Sequence, residues 1–354
     1  LVRDWILVTH KNILKEPKIN DLSKFKKDYK VCSIYGGEIE ICKLLFPKLF
    51  NQIGQNLIYE ISIISNVIGM QIPGLNSLFA NCKISLKKDL NVIPNYKITY
   101  FNKYLRFLKI MYQGKNIIAE MKAFSTPKIP ERKITNEIKF ELKNKSFYKN
   151  KKVLIIGGSQ GIGSFLVYVI NLLGGEVSFT YKNGIDDANK ISNEIFSNNP
   201  KNPVKSFKFD VINDIYSDIF KSNYDYLFYF ATPKIFGKNG EDFDKSRYKL
   251  FKQIYCDSFE DIALKFIEKG GKNIFYPSTV AINENVKGLE EYQIAKEKGE
   301  LICSKIKNNF NVNLLVKRLP RILTNQTLTI LPIKSLDPLD VAIEIAYQVF
   351  KTKK

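Results

Sequence analysis

Tyr292 and Lys296, in the stretch EYQIAKEKGE, stand four residues apart on a segment of helical periodicity, so their side chains share one face. A free tyrosine has a pKa of about 10 and moves protons poorly near neutrality. A cation one turn away favours the phenolate and draws the group toward the range in which general acid–base work is efficient. Ser278 ends the apolar run KNIFYPS, fourteen residues before Tyr292. A hydroxyl at the carboxyl end of a strand faces the ligand crevice of an open α/β sheet, where it can hold a carbonyl oxygen. Further upstream, GGSQGIG (157–163) separates the apolar run KVLIIG from a helical pattern. Gly157, Gly161 and Gly163 permit a tight turn and close backbone approach, and the free N–H groups of the helix start attract a pyrophosphate. Each feature also has a plainer reading on its own. Tyr-x-x-x-Lys suits a solvated helix face, Ser278 a turn, and the glycines a structural loop spaced G-x-x-x-G-x-G.

The elements that must carry these residues alternate. Strands are expected over 152–157, 174–181, 206–211, 224–231, 272–278 and 311–320. Helices are expected over 161–173, 184–197, 243–269, 289–307 and 338–351. Such alternation predicts an α/β fold with a doubly wound parallel Rossmann sheet. The preceding part differs. Residues 37–72 are apolar with helical periodicity, QIPGLNSL breaks the pattern, and the strand-like runs LFANCKISL, NYKITYF, LRFLKIMYQ and NIIAEMKAF follow. This predicts an α+β domain with a helix against a curled sheet. The reading divides the chain into 1–128, a charged linker with Pro127 and Pro130 at 129–150, and 151–354.

With these residues in order, the region 152–352 resembles the short-chain dehydrogenase/reductase family. The loop residues Gly157, Ser159, Gln160, Gly161, Ile162 and Gly163 match its nucleotide loop. Asp210 and Val211 match the adenine-contacting position, and Ala231 falls where the family has an Asn-Ala-Gly turn. Ser278, Tyr292 and Lys296 match its catalytic Ser, Tyr and Lys, and Pro320 and Thr324 the segment that closes over the nicotinamide. The resemblance implies that Tyr292 protonates a carbonyl oxygen as hydride arrives, that Ser278 holds this oxygen, and that Lys296 lowers the tyrosine pKa and binds the ribose. Tyr181 and Lys182, after the second strand, stand where an acidic residue would select NAD. A cation there suits a 2′-phosphate, so NADP is the expected cofactor, with NAD left open. The sequence departs from the family at Ile156, at FATP (230–233), at IYCD (254–257), where a helical Asn belongs, and at Arg321.

Composition narrows the field. The net charge of +20 on 354 residues invites a nucleic-acid reading. Of the 55 basic residues, however, only six are Arg (Arg3, Arg106, Arg132, Arg247, Arg318, Arg321), leaving 49 Lys, and no Arg/Lys patch with interleaved aromatics stands out. A biased base composition accounts for abundant Lys, Asn and Ile together, so no nucleic-acid partner is expected. His10 is the sole histidine and the five Cys lack metal-ligand spacing, which removes histidine triads and metal sites. The most apolar helical run, 57–70, contains Glu60 and is too short to span a bilayer, and no signal peptide is read, so a cytoplasmic location without a membrane is expected. Leu1 stands where Met would, as in a fragment.

The first domain resembles the hot-dog fold of acyl-thioester dehydratases over 35–128, on ISNVIGMQIPGLNSLFANCKISL and the closing Ala123, Phe124 and Pro127. That family's active members use an Asp/His pair. None is found here, so the domain is expected to be incomplete, inert or substrate-holding. The pairing implies reduction of a 3-oxoacyl thioester in fatty-acid or polyketide chemistry. A nucleotide-binding but catalytically weak module serving assembly is the alternative. A homo-oligomer is compatible with either reading.

Overall fold

The computed structural model describes residues 27, 30–32, 39–87, 91–127, 134–214, 218–236, 242–284, 286–329 and 333–352. His10 and Pro130 lie outside them. The chain divides into two compact units, Leu1–Lys128 with Leu328–Ile333, and Ile129–Thr327 with Lys334–Lys354.

In the first unit, strand β1 (Lys30–Cys32) precedes helices α1 (Ile39–Leu45), α2 (Pro47–Ile53) and α3 (Gln55–Asn66), the last continuing into a wide π-type turn at Val67–Gln71. Strands β2 (Ser77–Leu86), β3 (Asn95–Asn102), β4 (Phe107–Gln113) and β5 (Ile117–Ser125) complete an antiparallel sheet ordered β1-β3-β4-β5-β2. Burial alternates along β4 and β5, as the pleat requires of a sheet covered on one face. Leu108, Ile110, Ala119 and Met121 point inward and meet Ile63, Ile64, Val67 and Ile68. The carboxylate of Glu60 is also buried on α3, 5% exposed. It accepts hydrogen bonds from the Asn116 amide (3.0 Å), the Asn116 side chain (2.8 Å) and the Ile117 amide (3.1 Å). Those backbone donors belong to the β4–β5 hairpin. Gly114 leaves room for the carboxylate, since a Cβ there would sit 2.2 Å from Glu60 Oε2.

The second unit begins within the segment expected to be a linker. Residues 136–145 form helix α4 (Asn136–Lys145), capped by Thr135, and Leu142 and Tyr148 are buried in the unit's core. The Tyr148 hydroxyl donates to the Ala346 carbonyl (2.8 Å). Apolar residues spaced among many lysines concealed this packing in the sequence. Strands β6 (Lys152–Ile156), β7 (Glu176–Tyr181), β8 (Lys205–Lys208), β9 (Tyr226–Tyr229), β10 (Asn273–Thr279) and β11 (Asn313–Leu319) alternate with helices. These helices are α5 (Gly161–Leu172), α6 (Ile185–Asn198), α7 (Lys245–Lys252), α8 (Ser258–Glu268), α9 (Ala281–Glu284), α10 (Glu290–Asn309) and α11 (Pro338–Lys351). All sheet pairs are parallel, in the order β8-β7-β6-β9-β10-β11. This is the doubly wound order, with its switch point between β6 and β9. Val153 and Ile155 face one core cluster, Leu154 and Ile156 the other, so β6 is buried on both faces. A π-type turn at Gln253–Asp257 joins α7 to α8, where a continuous helix is expected from the sequence.

Candidate active site

The glycine loop lies at the switch point, between the end of β6 and the start of α5. Gly157 has φ +78°, and a Cβ on it would come within 2.8 Å of the Phe230 backbone and 2.9 Å of the Ala231 amide. The loop therefore lies directly against the carboxyl end of β9, which brings Ala231 beside it. A Cβ on Gly163 would sit 2.3 Å from the Gly157 carbonyl, so only glycine allows α5 to start this close to the loop. Thr180 secures the other side, accepting from the Gly157 amide through its hydroxyl and from the Gly158 amide through its carbonyl (both 2.9 Å).

Gly161, at φ +56°, faces open space, with only the Thr324 methyl 3.9 Å from where its Cβ would be. No side chain caps α5 and its first turn carries no acidic residue. The Gln160 amide donates instead to Asp187 (2.6 Å). The first N–H groups of a helix have no partner within it, so the opening beside Gly161 fits a phosphate group. Ser159 is buried, and its hydroxyl lies 3.3 Å from the Cβ position of Gly184. Ile162 is partly buried against the core.

At the ends of β7 and β8, Tyr181 packs on the core and its carbonyl accepts from Phe209 (2.8 Å). Lys182 Nζ lies 2.8 Å from Asp210 Oδ2. The Asp210 carboxylate also accepts from the Ile212 amide (3.1 Å) and the Asn213 side chain (3.0 Å). Burial works against ionisation of Asp210, but the bonds from Lys182, Ile212 and Asn213 outweigh it and hold the carboxyl below its usual range. Val211 is buried in the core cluster beneath. Pro320 follows β11 at the surface, and the Thr324 amide donates to the Thr327 hydroxyl (2.9 Å).

Tyr292, on the first turn of α10, has the Thr279 side chain beside its hydroxyl, close enough to draw its pKa down. Its ring stands edge-on to Tyr255 (5.6 Å) and Phe251 (5.9 Å). Burial pushes its pKa up to about 12, with Thr279 opposing. Two of the expected groups have partners elsewhere. Ser278 does not face Tyr292: its buried hydroxyl donates to Glu300, which the Arg318 guanidinium grips through Nε (2.8 Å) and a terminal nitrogen (2.7 Å). Neighbouring residues of a strand point to opposite faces, and at the end of β10 it is Thr279 that meets the tyrosine. The strand alternation could have raised this ambiguity from the sequence alone.

Lys296 is the second. It lies one turn beyond Tyr292 and donates to the Pro277 carbonyl (2.6 Å), with its ammonium 4.0 Å from the Tyr255 ring centre and 4.8 Å from that of Tyr276. Desolvation lowers its pKa to about 7. The IYCD segment forms the π-type turn, and the Tyr255 hydroxyl shares a hydrogen bond with Thr232 (2.6 Å) in the FATP stretch. Gly299 makes space for the bond from the Tyr276 hydroxyl to the Tyr255 carbonyl (3.0 Å). Among the described residues no group of three or more metal-ligating side chains is found, and no helix is long and apolar enough to cross a membrane.

No protein-family model matches the chain, and no curated protein matches it by sequence. Solved structures do match. A short-chain dehydrogenase of Shigella flexneri complexed with NADP is 12% identical, with a TM-score of 0.51 over 58% of this chain and 93% of that one. The oxidoreductase yciK of Escherichia coli gives 12% identity and a TM-score of 0.52 over 59% and 94%. A short-chain dehydrogenase of Escherichia coli complexed with NADPH gives 12% and 0.51 over 59% and 93%. The second unit thus has the fold of the short-chain dehydrogenases.

Proposed function

We propose that the second unit is an NADP-dependent carbonyl reductase in which Tyr292 is the proton donor. The observation that carries this reading is the placement of Tyr292 beside Thr279 at the carboxyl end of β10, in a fold whose crevice also holds an open glycine loop. Gly157, Ser159, Gln160, Gly161, Ile162 and Gly163 would hold the pyrophosphate, and Asp210 and Val211 the adenine end. Tyr181 and Lys182 would meet a 2′-phosphate. Ala231, Pro320 and Thr324 would border the nicotinamide. The nucleotide, when bound, supplies hydride for the carbonyl carbon. The Thr279 hydroxyl, rather than that of Ser278, holds the carbonyl oxygen, and Tyr292 gives that oxygen its phenolic proton. Lys296 reaches the ribose hydroxyls only by leaving the Pro277 carbonyl.

The substrate class we favour is a 3-oxoacyl thioester. Its support is the first unit, whose helix and antiparallel sheet are compatible with a hot-dog domain. That argument is an analogy between folds. We assign such a protein to the cytoplasm and leave room for a homo-oligomer. A second reading, a nucleotide-binding module without turnover, is favoured by the inward position of Lys296 and the high pKa of Tyr292.

Fluorescence titration with NADPH, followed by its oxidation with an acetoacetyl thioester, separates the readings. Binding with oxidation is expected. Binding without oxidation across several carbonyl compounds supports the assembly module, and no binding overturns both.

A further inference from the structure

Lys182 is one lysine of 49, yet it is the one joined to Asp210, across the carboxyl ends of β7 and β8. The pair is close, 2.8 Å, but unequal in burial. The Lys182 side chain is 58% exposed and that of Asp210 is 17% exposed. Asp210 is held by its further bonds from Ile212 and Asn213, whereas the mostly exposed lysine has Asp210 as its ion-pair partner. A well-bonded carboxylate thus holds an exposed cation at the corner of the crevice where the adenosine end of a dinucleotide would lie.

We infer that Asp210 sets the cofactor preference of this protein, by competing with a 2′-phosphate for Lys182. This rests on the nucleotide-binding reading above. A phosphate dianion arriving at Lys182 must either displace Asp210 or share the lysine with it, and the carboxylate repels it in both cases. A cofactor without that phosphate meets neither obstacle. The ion pair therefore narrows the advantage that a lysine alone would give to NADPH. Exposed pairs of this kind are weak, so the lysine changes partners readily. The competition adjusts preference and does not exclude either cofactor.

The test is the dissociation constant of NADPH and of NADH, read by fluorescence titration, in four proteins: wild type, Asp210→Asn, Lys182→Met and the double variant. Asparagine retains an oxygen for the Ile212 amide, and thermal melting of each variant checks the fold. Removing the competing charge is expected to shift the NADPH-to-NADH affinity ratio toward NADPH by about two- to fivefold, the scale of one screened charge pair. Lys182→Met is expected to bring the ratio down, and Asp210→Asn then adds little in that background. An unchanged ratio in Asp210→Asn, with both cofactors weakened alike, overturns the inference and leaves the nucleotide-binding reading intact. Failure of wild type to bind either cofactor overturns that reading, and this inference with it.

Discussion

Tyr292 stands beside Thr279, while the Ser278 hydroxyl donates to Glu300, although both residues end the same strand. The two hydroxyls therefore serve different ends, one facing the tyrosine and the other fastened to the Glu300–Arg318 pair.

A substitution series follows from that division. Thr279→Val removes the hydroxyl with little change in volume and is expected to lower kcat by about 100-fold, the scale of losing one hydrogen-bond donor to a developing oxyanion. Thr279→Ser is expected to restore most of it. Ser278→Ala is expected to leave kcat within a few-fold and to act on stability, since it strips a partner from Glu300. Steady-state kinetics of the three variants check the assignment, and a larger loss from Ser278→Ala would reverse it.

Lys296 should leave a mark on stability as a function of pH. Its folded pKa is about 7, well below the value near 10.4 of an unfolded lysine. Between these values the unfolded chain binds a proton that the folded chain does not. Stability from this group therefore rises as pH rises from about 7 to about 10 and is lowest below 7, where both states are protonated. Lys296→Met is expected to stabilise the free protein by a few kcal/mol near pH 7 and to flatten this slope. Urea melts at several pH values measure it.

Two glycines give opposite kinds of failure. Gly163→Ala drives a Cβ to 2.3 Å from the Gly157 carbonyl, so α5 and the loop must part. Nucleotide affinity is expected to fall at least about tenfold, with a smaller effect on melting. Gly299→Ala drives a Cβ to 2.0 Å from the Tyr276 hydroxyl and 3.0 Å from the Tyr255 carbonyl, inside the core. It is expected to cost about 1–3 kcal/mol in a denaturant melt.

Glu60→Ala should destabilise the first unit by about 3 kcal/mol, because it leaves the part-buried Asn116 amide and the buried Ile117 amide without an acceptor. Glu60→Gln keeps an acceptor and is expected to cost less. Denaturant melts of the two variants give the comparison.

The doubly wound sheet was legible because its strands are long apolar runs bounded by turns, and β6 from 152 to 156 shows this most plainly. The glycine loop and the helical pair Tyr292 and Lys296 were legible because spacing fixes which residues share a helix face. Rotamers are not fixed by spacing. Lys296 turned inward because Tyr255, Tyr276 and the Pro277 carbonyl offer it partners from distant segments. Strand phase at Ser278 and Thr279 was equally hidden, since a strand end leaves either residue free to face the crevice. Helix α4 was missed because its charged surface outnumbers the few residues, such as Leu142, that bury it.

The most direct test of Tyr292 as proton donor is single-turnover oxidation of saturating bound NADPH by an acetoacetyl thioester, followed at 340 nm, in wild type and Tyr292→Phe. The account predicts equal NADPH binding by both proteins and oxidation by the wild type alone, with the variant slowed by at least about 100-fold. Equal oxidation rates in the two proteins would contradict it.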